Sequence, residues 1–208
     1  MGRASINHIL IARGLRAFGD GFVSLLLPLY LLELGFGPVE VGLIATATLL
    51  GSGLLTLLVG LRAYRYHTRT LLIAATILMA ATGTGFAVVT QFWPLLLIAI
   101  VGTLNPSSGD VSVFLPLEHA VLSQLVSDRD RTAVFARYSL VGSLMAALGS
   151  LAAAVPALTA VTLSISMTTA LQSMFVFYGV LGLLAALAYR GLPAFIESEA
   201  RPPSTPLG

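Results

Sequence analysis

Along the chain, apolar stretches long enough to cross a bilayer alternate with short polar or glycine- and proline-bearing breaks. The first stretch runs from about Ala17 to Leu34 and contains Asp20 and Pro28, and Gly35-Phe36-Gly37-Pro38 then predicts a tight turn. The second, from about Val39 to Leu61, carries Gly51, Ser52, Gly53 and Gly60, small residues that let helices approach closely. A basic loop with Arg62, Arg65, His67 and Arg69 leads into a third stretch from about Thr70 to Val89. Gln91-Phe92-Trp93-Pro94 reads as an interfacial turn with an aromatic anchor. The fifth stretch runs from about Thr132 to Pro156 and sets Gly142, Ala146 and Ser150 four apart on one face. Ala157 to Thr169 is a Ser/Thr-rich, partly helical connection, and the sixth stretch covers about Ala170 to Tyr189. From Gly191 to Gly208 the tail is polar and rich in proline, as in a linker.

The fourth element, Phe92 to Val126, departs from this pattern. It is apolar at both ends, yet its middle holds Asn105-Pro106-Ser107-Ser108-Gly109-Asp110, followed by Pro116, Glu118 and His119. As one straight helix it would extend roughly 50 Å, against about 30 Å of hydrocarbon. Cut at the break, each half reaches only about 20 to 25 Å. Proline and glycine free backbone groups that lipid cannot satisfy, so such a break persists only inside protein or beside a watery cavity. The expectation is one bent crossing that lines a solute pathway.

Composition settles the class. The chain has 208 residues, is 57% hydrophobic with mean hydropathy +0.94, and only 10% of its residues are charged. Soluble domains carry about 25% charged residues, so an all-α integral membrane protein of six transmembrane helices is expected. All basic residues are Arg, eleven of them, and with six crossings every one falls on the same side. The positive-inside rule then places both termini in the cytoplasm and the bundle in a cytoplasmic (inner or plasma) membrane. On this reading residues 1–16 form a cytoplasmic N-terminus, 17–190 the transmembrane domain and 191–208 a cytoplasmic tail. A net charge of +2 gives no nucleic-acid footprint, and zero cysteines remove disulfides and thiolate metal sites. There is no HExxH motif and no P-loop. Ser107 and Ser108 lie roughly 17 Å along the helix from His119, too far for a serine nucleophile and its base. Nothing points to an enzyme, a metal or a cofactor.

Charges within the spans carry the functional expectation, since each costs at least about 2.5 to 3.5 kcal/mol at the bilayer centre unless paired or hydrated. Asp20 follows Arg16 by four residues, so an interfacial ion pair and a cavity carboxylate that loads and releases protons both remain open. Asp110 reads either as a cap on the restarting helix or as a substrate or proton site. Asn105, Ser107, Ser108 and Ser112 suit a polar solute, although backbone repair at the break accounts for them almost as well. Glu118 and His119 suggest a structural pair with Arg137 or with the charges from Asp128 to Arg131, and His119 also suits a pH-sensitive relay. Glu33 and Glu40 belong to the outer interface, and Phe175, Phe177 and Tyr178 read as helix packing.

The loop Gly60-Leu61-Arg62-Ala63-Tyr64-Arg65-Tyr66-His67-Thr68-Arg69 resembles the Gly-x-Leu-Ala-Asp-Arg-x-Gly-Arg-Arg loop between the second and third spans of the major facilitator superfamily. Gly60, Ala63, Arg65 and Arg69 match, whereas Tyr64 replaces the family's Asp and His67 its second Gly. The first span, with Phe18-Gly19-Asp20-Gly21 and Leu27-Pro28-Leu29-Tyr30, is also similar to family first spans, which often hold an acid. The family's fourth-span Arg motif and the Gly-Pro pair of its antiporter signature are absent. The resemblance covers residues 10 to 190 and implies a secondary-active transporter built from two six-span halves. This chain would supply one half, the other being the rest of a longer protein or a second copy. Gly60, Arg62, Arg65 and Arg69 would form the gating loop. The implied partners are the lipid bilayer, protons and a small solute. Two acids and no Arg or Lys deep in the spans then favour proton-driven efflux of amphipathic cations, with proton-linked uptake of a neutral solute or a non-transporting structural membrane protein as the alternatives.

Overall fold

The computed structural model describes residues 2–62, 66–104 and 112–192, and every regular element among them is helical. In chain order these are α1 (Gly2–Glu33), α2 (Pro38–Arg62), α3 (Thr68–Val88), α4 (Phe92–Val101), α5 (Phe114–Leu125), α6 (Asp128–Ala152), α7 (Val155–Leu163) and α8 (Met167–Arg190). Among the described residues, five spans are long and apolar enough to cross a membrane: Ala4–Glu33, Pro38–Arg62, Thr68–Val88, Asp128–Leu163 and Met167–Arg190. The fourth element is interrupted, as its composition requires: α4 has 10 residues and α5 has 12, so neither crosses alone.

Two boundaries differ from the sequence expectation. The first helix starts at Gly2 rather than Ala17. Its polar-looking opening holds no proline, and Ile9, Ala12 and Arg16 fall on one face that is fully or almost fully buried. Helix α6 ends at Ala152, and after a two-residue turn the same apolar stretch continues as the short helix α7, which Ser164 closes with a left-handed φ of 53°. Pro156 therefore lies in the first turn of α7, where its missing N–H is harmless, and does not end α6.

The predicted turn after α1 is present. Gly35 takes φ of 88°, which a side chain would resist, and Pro38 opens α2. Glu40 reaches back to accept a 2.7 Å hydrogen bond from the Gly37 N–H, so this acid caps a helix. Phe36 meets Phe92 edge to face beside exposed Trp93, which joins this turn to the one between α3 and α4. At the opposite end Arg69 donates to the Arg190 carbonyl at 2.8 Å, which sets the start of α3 against the end of α8.

Helix α1 is the centre of the bundle, with α6 and α8 packed along it, while α3 lies along α8 and α2 along α4. The small-residue face predicted on α6 is the α1 contact: Ser150 donates to the Gly21 carbonyl, and the α1 backbone at Phe18 and Gly21 touches Gly149 and Ala146. Several hydroxyls inside the helices bond their own backbone, among them Thr76 to Leu72, Thr82 to Leu78 and Thr84 to Ala80, so these groups need no other partner. Two apolar cores result. One includes Phe22, Leu26, Tyr30, Phe86 and Phe175, the other Ile9, Leu72, Val121, Tyr138 and Tyr189. Along α1, Arg16 and Asp20 fall between them.

Candidate functional site

That polar layer is built from four helices. Arg16 of α1 and Glu118 of α5 form an ion pair with both side chains buried. Tyr138 of α6 donates to one Glu118 oxygen and Tyr189 of α8 to the other, each at 2.6 Å. The Arg16 guanidinium lies over the Phe114 ring, 3.8 Å from its centre, and Arg13 lies 5.1 Å over the Tyr138 ring. Glu118 is thus held by one cation and two phenols, through charge-assisted bonds roughly twice as strong as neutral ones. It acts as a fixed anchor for the second half of the interrupted element. The sequence suggested Arg137 or the Asp128–Arg131 group as its partner. Instead Arg137 is exposed and lines a cavity of about 900 Å³ with Asn7, Ser127 and Asp130, while Arg131 pairs with Asp128 at 3.0 Å. His119 packs edge-on against the Phe135 and Tyr138 rings. Arg137 is one residue, about 100° of rotation, away from the inward place, which Tyr138 takes.

Asp20 lies in the same layer but is held differently. It is 7% exposed and accepts a long 3.4 Å contact from the Tyr178 hydroxyl of α8, while Arg16, one turn back, is turned to Glu118. The same hydroxyl lies 3.5 Å from the Thr103 carbonyl, just past the end of α4. Thr103 is itself 7% exposed, and its buried hydroxyl has no hydrogen-bond partner among the described residues, unlike those of α3. Asp20, Tyr178 and Thr103 therefore form an under-bonded group beside the interruption.

The other expected positions divide into three sets. Ser112 is half-buried and accepts from the Phe114 N–H at 3.3 Å, which is backbone repair at the start of α5. Asn105, Ser108, Asp110 and Arg65 lie outside the described residues. Gly60 and Arg62 are exposed at the end of α2, and Arg69 acts on the α8 carbonyl end, where a cation meets the negative pole of the helix. Arg69→Gln is expected to cost only about 0.3 to 1 kcal/mol, a fall in Tm of at most a few degrees on thermal unfolding in detergent. A larger fall would mean that the loop supports far more than the end of α8.

Sequence reasoning missed Arg16, Tyr138, Tyr189, Tyr178 and Thr103 as members of this layer. A signal was present: the three tyrosines lie within long apolar helices, where a phenol hydroxyl needs a partner.

Comparison with known proteins adds the family. The profile described as Major Facilitator Superfamily matches residues 9–206. The chain is also similar to the uncharacterised membrane protein YJR124C of Saccharomyces cerevisiae, 28% identical over 134 residues. That match covers 64% of this chain and 30% of the yeast protein, so the chain spans about a third of its relative.

Proposed function

The chain belongs to the major facilitator superfamily, an integral membrane transporter family acting on small solutes, and from that premise we propose that it is one half of a proton-driven secondary transporter with Asp20 as the proton carrier. The observation that carries this reading is the contrast between the two buried carboxylates. Glu118 is bound by an arginine and two phenols, whereas Asp20 has one long contact to Tyr178. A carboxylate fixed by three strong donors resists protonation, and one with a single weak donor is the group able to exchange a proton. Burial at 7% exposure leaves room for a proton and not for a solute, so Asp20 serves coupling, while the solute belongs to the surface beside the interruption.

Six crossings follow if α4 and α5 together make the fourth, with both termini cytoplasmic and the protein in the plasma or inner membrane. Residues 191–208 then follow the six-helix domain at its cytoplasmic face, while the opening of α1, one face of which is buried from Ile9 on, belongs to the domain itself. Exposed leucine rows on α2 (Leu50, Leu54, Leu57, Leu61) and α6 (Leu140, Leu144, Leu148, Leu151) support a second six-helix half or lipid against these faces. Exchange of an exported amphipathic cation for a proton suits an uncommitted interior carboxylate, with Asp20 carrying the proton and not the solute.

In proteoliposomes with an imposed pH gradient, Asp20→Asn is expected to reduce gradient-driven flux to that of empty vesicles while solute exchange without a gradient continues. Full gradient-driven flux in Asp20→Asn would remove Asp20 from the coupling role.

A further inference from the structure

The Tyr178 hydroxyl stands between two acceptors on different parts of the bundle. Asp20 Oδ1 lies 3.4 Å away on α1, and the Thr103 carbonyl lies 3.5 Å away beyond the last residue of α4. Both distances exceed the roughly 2.5 to 3.0 Å of a good O–H···O bond. Other buried phenols do better: Tyr138 and Tyr189 reach Glu118 at 2.6 Å, and Tyr30 reaches the Phe86 carbonyl at 2.8 Å. A phenol has one proton and makes one full donation. Tyr178 is 1% exposed, so water does not supply the difference. Its proton is shared between two sites and satisfies neither.

We propose that Tyr178 is the residue that transmits the charge of Asp20 to the interruption of the fourth element, by turning its single proton from the Asp20 carboxylate to the Thr103 carbonyl when Asp20 becomes neutral. This rests on the reading of Asp20 as the proton carrier. A bond to an ionised acceptor is roughly twice as strong as a neutral one, so the carboxylate wins while it is charged. The Thr103 carbonyl then lacks its donor, and the end of α4 is released from α8. Once Asp20 takes a proton, that advantage is gone. The phenol turns to Thr103 and ties the end of α4 to α8. The segment suits such a change, because the Thr103 hydroxyl has no hydrogen-bond partner among the described residues either.

The charges around Asp20 leave it as the variable member. On α1 Arg16 is matched by Glu118 of α5, and Arg13 lies over the Tyr138 ring of α6. His119 of α5 is packed against Phe135 and Tyr138, and Tyr189 of α8 is bound to Glu118. None of these groups is hydrogen-bonded to Tyr178 among the described residues.

Tyr178→Phe keeps the ring and removes the proton. It is expected to abolish pH-driven flux while the infrared carboxylic-acid band assigned to Asp20, by its loss in Asp20→Asn, still titrates in the reconstituted protein. A merely packing role would leave coupling intact. Full pH-driven flux in Tyr178→Phe, with flux lost in Asp20→Asn, overturns the Tyr178 assignment and leaves the proton reading standing. Full flux in Asp20→Asn removes both. Should Tyr178→Phe fail to fold, the absence of native cysteine offers a second measurement. In Thr103→Cys, maleimide labelling is expected to accelerate with pH more than in the Thr103→Cys, Asp20→Asn pair. Equal pH profiles in the two would overturn the proposal.

Discussion

Glu118→Ala is expected to lower stability by about 3 to 5 kcal/mol, because breaking a buried ion pair from one side leaves the other charge unpaired in a low-dielectric interior. The loss extends beyond the Arg16 charge. Tyr138 and Tyr189 give up their acceptor together, and neither has water to turn to. In a protein of this size the Tm should fall by roughly 10 °C or more, measured by thermal unfolding in detergent. Arg16→Ala alone should do less harm, since Glu118 keeps two phenol donors. The decisive arm is the double variant Arg16→Met, Glu118→Leu, which removes both charges and fills the space. It is expected to recover part of the loss, short of wild type by the two stranded phenols, and adding Tyr138→Phe and Tyr189→Phe should recover more. A double variant as unstable as Glu118→Ala would show that the ion pair is not what the layer depends on.

This cluster also marks the limit of what the sequence discloses. Local signals placed the spans, the Gly35 turn, the interruption between Val101 and Phe114 and the small face of α6, since each depends on neighbours within a few turns. Arg16 and Glu118 are separated by 102 positions, and no periodicity pairs residues at that distance. Sequence proximity instead favoured Arg137, which is exposed. The early start of α1 was hidden for a related reason. Arg13 and Arg16 read as a membrane boundary, yet a long guanidinium stem can be buried when an aromatic ring or a carboxylate receives its head. Asp20 was visible as a lone acid in an apolar run, but its partner was not. Tyr178 counts as an aromatic packing residue until the fold brings its hydroxyl to Asp20.

Gly149→Ala tests the contact that holds this layer in place and is expected to cost at least about 3 kcal/mol, the upper end of the range for overpacking. A Cβ built at Gly149 would stand 2.0 Å from the Phe18 carbonyl oxygen, and one at Gly21 would stand 2.2 Å from that of Ala146. Both obstacles are backbone, so no rotamer change relieves them; the helices have to separate. Lipid tails are as apolar as the side chains, so α1 and α6 gain little from apolar burial and depend on close packing and hydrogen bonds, which separation removes. The Ser150 bond to the Gly21 carbonyl, already 3.3 Å, would be lost with it. Gly53→Ala is the matched control: nothing lies within 4 Å of a Cβ there, so it should be neutral or slightly stabilising, as alanine is the better helix former. The functional consequence follows from position. Phe18 and Gly21 flank Asp20 on α1, so parting the helices there opens the carboxylate to water. Gly149→Ala protein that still folds should therefore leak protons in vesicles without added solute, and Gly53→Ala should not. A Gly149→Ala variant with wild-type Tm and tight vesicles would mean that the two backbones do not meet at this crossing.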